Sequence, residues 1–374
     1  MSVAPVTEVS RLELFFDLVF VVTITQFTTV LEHRPSATGV VQAALMLAIV
    51  WWMYGGYAWL TNLVPPDRTS RRLAMVAGMI SYLVLALAIP RAFEGEGLAF
   101  GLAYLLVVIV HGGLFVVSAQ VRLSTIYRGF FPVNVAFALV IVAGGALGGG
   151  WQYALWALTA AAAWASPYLI ADQSRLLGAK HFVERHALVV LVAIGESVVA
   201  IAIGASAHTI NAGTISTVAL GMAISAGLWW AYFGDHDDEL RVAAFVRAIA
   251  DGRYLVGVRP FGLVFAALLG AVVAVAAGLH HAIAHPDSST DTVRALYLGA
   301  GAALFLVADQ VSRAYMGIAI SRRRLAIAVA ALATVPAGMF VSNVAQETLL
   351  AAVLAAGFAL EGRSGRRGDA GQVE

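Results

Sequence analysis

Cysteine is absent from this chain of 374 residues. That excludes disulfides, thiolate metal sites and cysteine nucleophiles. Charge is scarce as well: 12% of residues are Asp, Glu, Lys or Arg, against about 25% in soluble domains. Such a chain lacks the polar surface a water-soluble fold needs. Lysine is nearly missing, Lys180 being the single one among 23 basic residues. The net charge of +1 and the lack of a basic stripe give no sign of a nucleic-acid partner. No phosphate-binding Gly-rich loop, His-Glu-x-x-His zinc helix or Gly-x-Ser-x-Gly elbow occurs. The sequence therefore indicates neither a metal nor a cofactor.

What is present is hydrocarbon: 60% of residues are hydrophobic, and mean hydropathy is +0.84. A bilayer span needs about 20 apolar residues. The expected fold is all-α, a polytopic integral membrane protein with about twelve transmembrane helices. They fall roughly at 12–31, 38–60, 73–90, 98–120, 130–148, 152–171, 186–206, 214–233, 255–283, 294–318, 325–343 and 345–361. Eighteen of the 23 basic residues fall at one face of this arrangement, Arg11, Arg185, Arg241 and Arg324 among them. The positive-inside rule makes that face cytoplasmic, with both termini there. The expected location is a membrane, and the bilayer itself is the first partner.

Two signatures recur about half a chain apart. Asp17 lies in the first apolar run and Trp51, Trp52 and Tyr54 follow in the second. Glu196 lies in the seventh, and Trp229, Trp230 and Tyr232 follow in the eighth. The acid-to-Trp spacing is 34 residues in one case and 33 in the other. Because six spans are an even number, both halves enter with the same orientation. The expected organisation is two parallel six-helix repeats, 1–180 and 181–361, and a disordered cytoplasmic tail, 362–374.

An intramembrane carboxyl costs about 3 kcal/mol on insertion scales, so Asp17 and Glu196 are the leading candidates for proton or substrate binding. Against that stands a packing role, with Asp17 paired to an arginine or Glu196 hydrogen-bonded to a neighbouring helix. Burial would push the Glu196 carboxyl up, toward proton exchange near neutral pH. Glu13 shares a helix face with Asp17 at a spacing of four, yet its place at the membrane boundary also fits simple solvation. The Trp and Tyr residues read either as an interfacial belt or as an aromatic pocket wall. Asp309 and Arg313, four apart, can neutralise each other. Arg259 precedes Pro260 and reaches either the interface or one of the intramembrane acids. His111 reads as a core histidine or a catalytic partner. The run from Asp235 to Glu239 reads as a solvated turn and helix start more readily than as a metal site.

Residues 10–21, SRLELFFDLVFV, closely resemble the opening of the bacterial low temperature requirement protein A family. Glu184, Arg185 and His186, leading into residues 193–201, AIGESVVAI, resemble a second stretch of it. The resemblance implies a polytopic bacterial membrane protein and leaves mechanism open. The family pattern has a histidine early in the ninth span, and residues 254–258 here contain none. Three readings follow. A permease or secondary transporter, proton-coupled through the carboxylates and carrying a small molecule, is preferred. An intramembrane enzyme acting on lipid would use Glu196 as general base beside His111. A sensor or structural protein would need no cavity.

Overall fold

A computed structural model describes residues 9–118, 121–169, 178–234, 237–251, 255 and 259–370. Among these residues the regular structure is helical, without a strand. The first six helices are α1 (Arg11–His33), α2 (Ala37–Leu63), α3 (Thr69–Ala88), α4 (Gly97–Ser118), α5 (Val121–Leu147) and α6 (Gly149–Leu169). Then come α7 (Ala179–Ala205), α8 (Ala212–Phe233), α9 (Asp237–Ala250), α10 (Leu263–Ala284) and α11 (Thr292–Met316). The last are α12 (Arg322–Leu332), α13 (Val335–Phe340) and α14 (Asn343–Ala370). Among the described residues, eleven helical segments are long and apolar enough to cross a membrane, with Arg322–Phe340 counted as one. The chain is a multi-pass membrane protein. The sixth expected span is the helix α6, which is not among those eleven.

Several elements differ from expectation in detail. The short α9 occupies what was expected to be a cytoplasmic loop, and the ninth span begins at Leu263. The eleventh breaks at Ala333 and Thr334, where the Thr334 hydroxyl donates to Ala331 O and proline follows at the start of α13. Helix α14 continues to Ala370, through most of the segment expected to be a tail.

Local chemistry explains the helix that matters most. Helix α1 opens with a capping box: the Glu13 amide donates to Ser10 Oγ, and the Ser10 amide donates to Glu13 Oε2 at 2.9 Å. Its buried positions, Glu13, Phe16, Asp17, Phe20, Ile24 and Phe27, follow the helical three-four spacing. The opposite face exposes Phe15 and Leu18, as a helix facing lipid does. The amphipathic order is inverted, with the acids inside.

The chain divides into two compact units. One comprises residues 1–34, 38–192 and 242–266; the other comprises 35–37, 193–241 and 267–374. In the first, α4 packs on α3 and α5, α5 on α6, and α1 on α3. The α4–α5 crossing depends on missing side chains: a Cβ at Gly101 would stand 2.6 Å from Val142 Cα, and one at Gly145 would strike the Gly97 backbone. Small residues let membrane helices approach this closely. In the second unit α8 packs on α14, and α11 packs on α12, α13 and α14.

Candidate functional site

In the first unit, the start of α1, the end of α2 and the start of α7 enclose a buried polar cluster. Glu13, Asp17, Thr61, Asn62, His181 and Arg185 are each at most 2% exposed. Arg185 joins them. Its Nη1 lies 3.2 Å from Glu13 Oε1 and its Nη2 lies 3.1 Å from Asp17 Oδ1. Its Nε is 3.4 Å from the same Asp17 oxygen, and Nη1 also donates to the Thr61 hydroxyl. Tyr54 OH donates to Asp17 Oδ1 at 2.7 Å.

The hydrogen bonds fix the state of His181. The Gly178 amide donates to Asn62 Oδ1 at 2.8 Å, which sets the orientation of that side-chain amide. Asn62 Nδ2 then faces His181 Nδ1 at 3.0 Å, so Nδ1 accepts. His181 is therefore the neutral tautomer with its proton on Nε2, 3.3 Å from both carboxylate oxygens of Glu13. The assignment comes from the network, as it must for histidine. Two carboxyls thus face one guanidinium. Asp17 Oδ1 receives every donor that reaches Asp17, while Oδ2 is buried without a hydrogen-bond partner among the described residues.

An aromatic sheath closes the cluster. The Arg185 guanidinium carbon lies 5.7 Å from the Phe16 ring centre and 5.6 Å from that of Tyr54. Trp51 stacks between Tyr54 and Phe265, at 4.6 and 5.1 Å. Its indole N–H donates to Phe261 O and Gly262 O. His186 wedges among Trp51, Phe182, Phe261 and Phe265 and turns Nδ1 to Phe182 O. The rings keep water from these sides, so each charge interaction is screened less than it would be in water.

The second unit has an ionic knot of its own. Arg241 Nη2 lies 2.5 Å from Asp309 Oδ1, and its guanidinium carbon is 4.2 Å from the centre of the Tyr232 ring. Arg324 lies 3.5 Å from Asp309 Oδ2, 3.2 Å from Glu361 Oε1, and donates to Ala231 O. Gln310 donates to Asp309 Oδ2 and accepts from the Ser321 amide. Two acids here meet two guanidiniums. In both units, the tyrosine that closes a Trp-Trp-x-Tyr segment lies against a buried Arg–Asp pair.

The predicted residues are dispersed around these centres. Glu13, for which solvation at the membrane boundary was the alternative reading, is fully buried, with Arg185 and His181 against it. Glu196 is 5% exposed on α7 in the second unit, beside Ser197, whose hydroxyl is 2.8 Å from that of Ser225. His111 is in the first unit, packed on Tyr57 and Phe115. Trp52 donates to Asn134 Oδ1 and meets Trp164 edge-on. Trp229 and Trp230 are 40% and 50% exposed, unlike buried Trp51. Asp309 takes Arg241 and Arg324 where Arg313 was expected, and Asp17 takes Arg185 where Arg259 was one expectation. Arg259 is exposed beside the Tyr168 ring, 5.7 Å from its centre. Asp235, His236 and most of residues 254–258 lie outside the described residues.

Sequence reasoning missed Arg185, His181, Arg241 and Arg324 as site residues. Three of them were counted as loop cations. One signal was available: Arg185 sits in the Glu-Arg-His stretch that carried the resemblance.

Comparison with known proteins agrees with the architecture. The family described as bacterial low temperature requirement A protein (LtrA) matches residues 8–359. An uncharacterized protein of Rhizobium meliloti (strain 1021) is 26% identical over 300 residues, covering 75% of this chain and 71% of that relative.

Proposed function

The chain belongs to the bacterial low temperature requirement A family, and on that premise we propose that it is a proton-coupled permease of the bacterial inner membrane. One observation carries the reading: two buried carboxyls share one guanidinium, and one oxygen, Asp17 Oδ2, has no hydrogen-bond partner among the described residues. With His181 neutral, the cluster is one positive charge short. An unbalanced charge buried in low dielectric neutralises itself by taking a proton. Both oxygens of Glu13 and Oδ1 of Asp17 already accept donors, so the proton belongs on Asp17 Oδ2. Losing it leaves a net negative cluster, which attracts either another proton or a cationic or polar substrate. Intramembrane acids of this kind mark proton relays and substrate paths.

The two halves would act as parallel repeats with both termini cytoplasmic. Support comes from the 34- and 33-residue spacings. Repeats of this class rock about a central site near the bilayer midplane. The test is purified protein in liposomes that enclose a pH-sensitive dye, challenged with a metabolite panel. The expected result is substrate-driven proton movement that Asp17→Asn abolishes while the protein stays folded. Uptake independent of pH and unchanged in Asp17→Asn would remove the proposal.

A further inference from the structure

A second site lies in the second unit, away from the ionic knot. The end of α11, the turn after it and the start of α12 form an open groove of about 410 Å³, within the size range of small-molecule sites. Its walls are Val307, Val311, Ala314, Ile320 and Leu325, with Gln310 and Tyr315. Gln310 offers little polarity to the groove, because its amide is bound to Asp309 and Ser321. The surface is therefore hydrocarbon and suits an alkyl chain better than a polar solute.

The rim has the opposite character. Ile320 and Leu325 bracket three consecutive arginines. Arg324 turns inward to Asp309 and Glu361, whereas Arg322 and Arg323 are exposed. Arg322 stands three residues before the groove residue Leu325 and so shares its helix face. The first amides of α12 lie at the same end of the helix. Ser321 Oγ caps the amide of Arg324, and the amides before it have no intrahelical acceptor. Both α11 and the segment Arg322–Phe340 are candidate membrane spans, which sets the groove between two segments suited to a bilayer.

We infer that this groove binds one anionic phospholipid, its acyl chain along Val307, Val311 and Ala314 and its phosphate at Arg322 and Arg323. The complementarity is between an apolar trough and a doubly cationic, amide-lined rim, which matches the two ends of such a lipid. Basic residues at a membrane surface favour anionic headgroups by about five-fold each.

Native mass spectrometry and thermal unfolding of the delipidated full chain in detergent test this. The probes are phosphatidylglycerol, phosphatidylethanolamine with the same chains, and inorganic phosphate alone. One phosphatidylglycerol should stay bound and raise the unfolding temperature, with weaker effects from the other two. Arg322→Gln with Arg323→Gln should cut the preference for phosphatidylglycerol at least ten-fold. Ala314→Trp, which fills the trough, should weaken both lipids with the arginines intact. Equal binding of the two lipids by the native chain would overturn the site, as would an undiminished preference in the arginine variant. An equal shift from phosphate alone would show a free-anion site and overturn the lipid assignment.

Discussion

Arg185 Nη2 lies 3.1 Å from Asp17 Oδ1, across 168 residues of sequence. The contact fastens α7 to α1, and Glu13 shares the same guanidinium. Removing one partner of a buried pair leaves the other charge uncompensated and costs about 3–5 kcal/mol. Arg185→Gln should therefore lower thermal stability in detergent by that order. Adding Glu13→Gln, which removes one excess carboxylate, should restore part of it. Unchanged stability in Arg185→Gln would mean that the cluster is solvated.

Glu196 is buried on α7 beside the Ser197–Ser225 hydrogen bond. Glutamine closely mimics the neutral acid, so Glu196→Gln should express and fold normally. In the liposome assay it should lose pH-dependent uptake, whereas Glu196→Leu should lose stability as well. Full activity in Glu196→Gln beside inactive Asp17→Asn would leave Asp17 as the proton carrier and Glu196 as a packing group.

Topology is accessible because the native chain has no thiol. A cysteine at Ser36, in the turn between α1 and α2, should be labelled by an impermeant maleimide in intact cells. One at Gly368 should be labelled only after permeabilisation. The reverse pattern would invert the orientation expected from the arginines.

Asp291 caps α11 by accepting from the amides of Val293 and Arg294, and it also pairs with the Arg294 side chain. Partial burial raises its carboxyl, but these hydrogen bonds and the Arg294 charge outweigh that and hold it below the usual carboxylate value. A lowered folded value means that the cap's contribution is complete above the unfolded value and is lost as pH falls through the folded one. Asp291→Ala should cost about 1 kcal/mol at neutral pH. The difference from the native chain should shrink in acid, read as converging unfolding temperatures. A constant difference down to strongly acidic pH would assign the loss to something other than the carboxylate.

Composition and apolar run length were enough to establish a helical, many-span membrane protein. Hydrocarbon imposes that outcome locally, since each span must satisfy its own backbone hydrogen bonds. The shared face of Glu13 and Asp17 was also legible, because a spacing of four fixes it within one helix. Partner choice was not. Arg185, Arg241 and Arg324 look like loop cations in the sequence, yet each lies buried against acids that other helices supply. Asp309 is four residues from Arg313 and still pairs with Arg241, 68 residues away. Trp51 and Trp229 occupy matching places in the sequence, but one is buried in a stack and the other is exposed. A span tolerates either face toward lipid when both are apolar, so periodicity cannot say which residues turn inward. Helix packing makes that choice, by bringing together polar groups that hydrocarbon would otherwise leave unsatisfied.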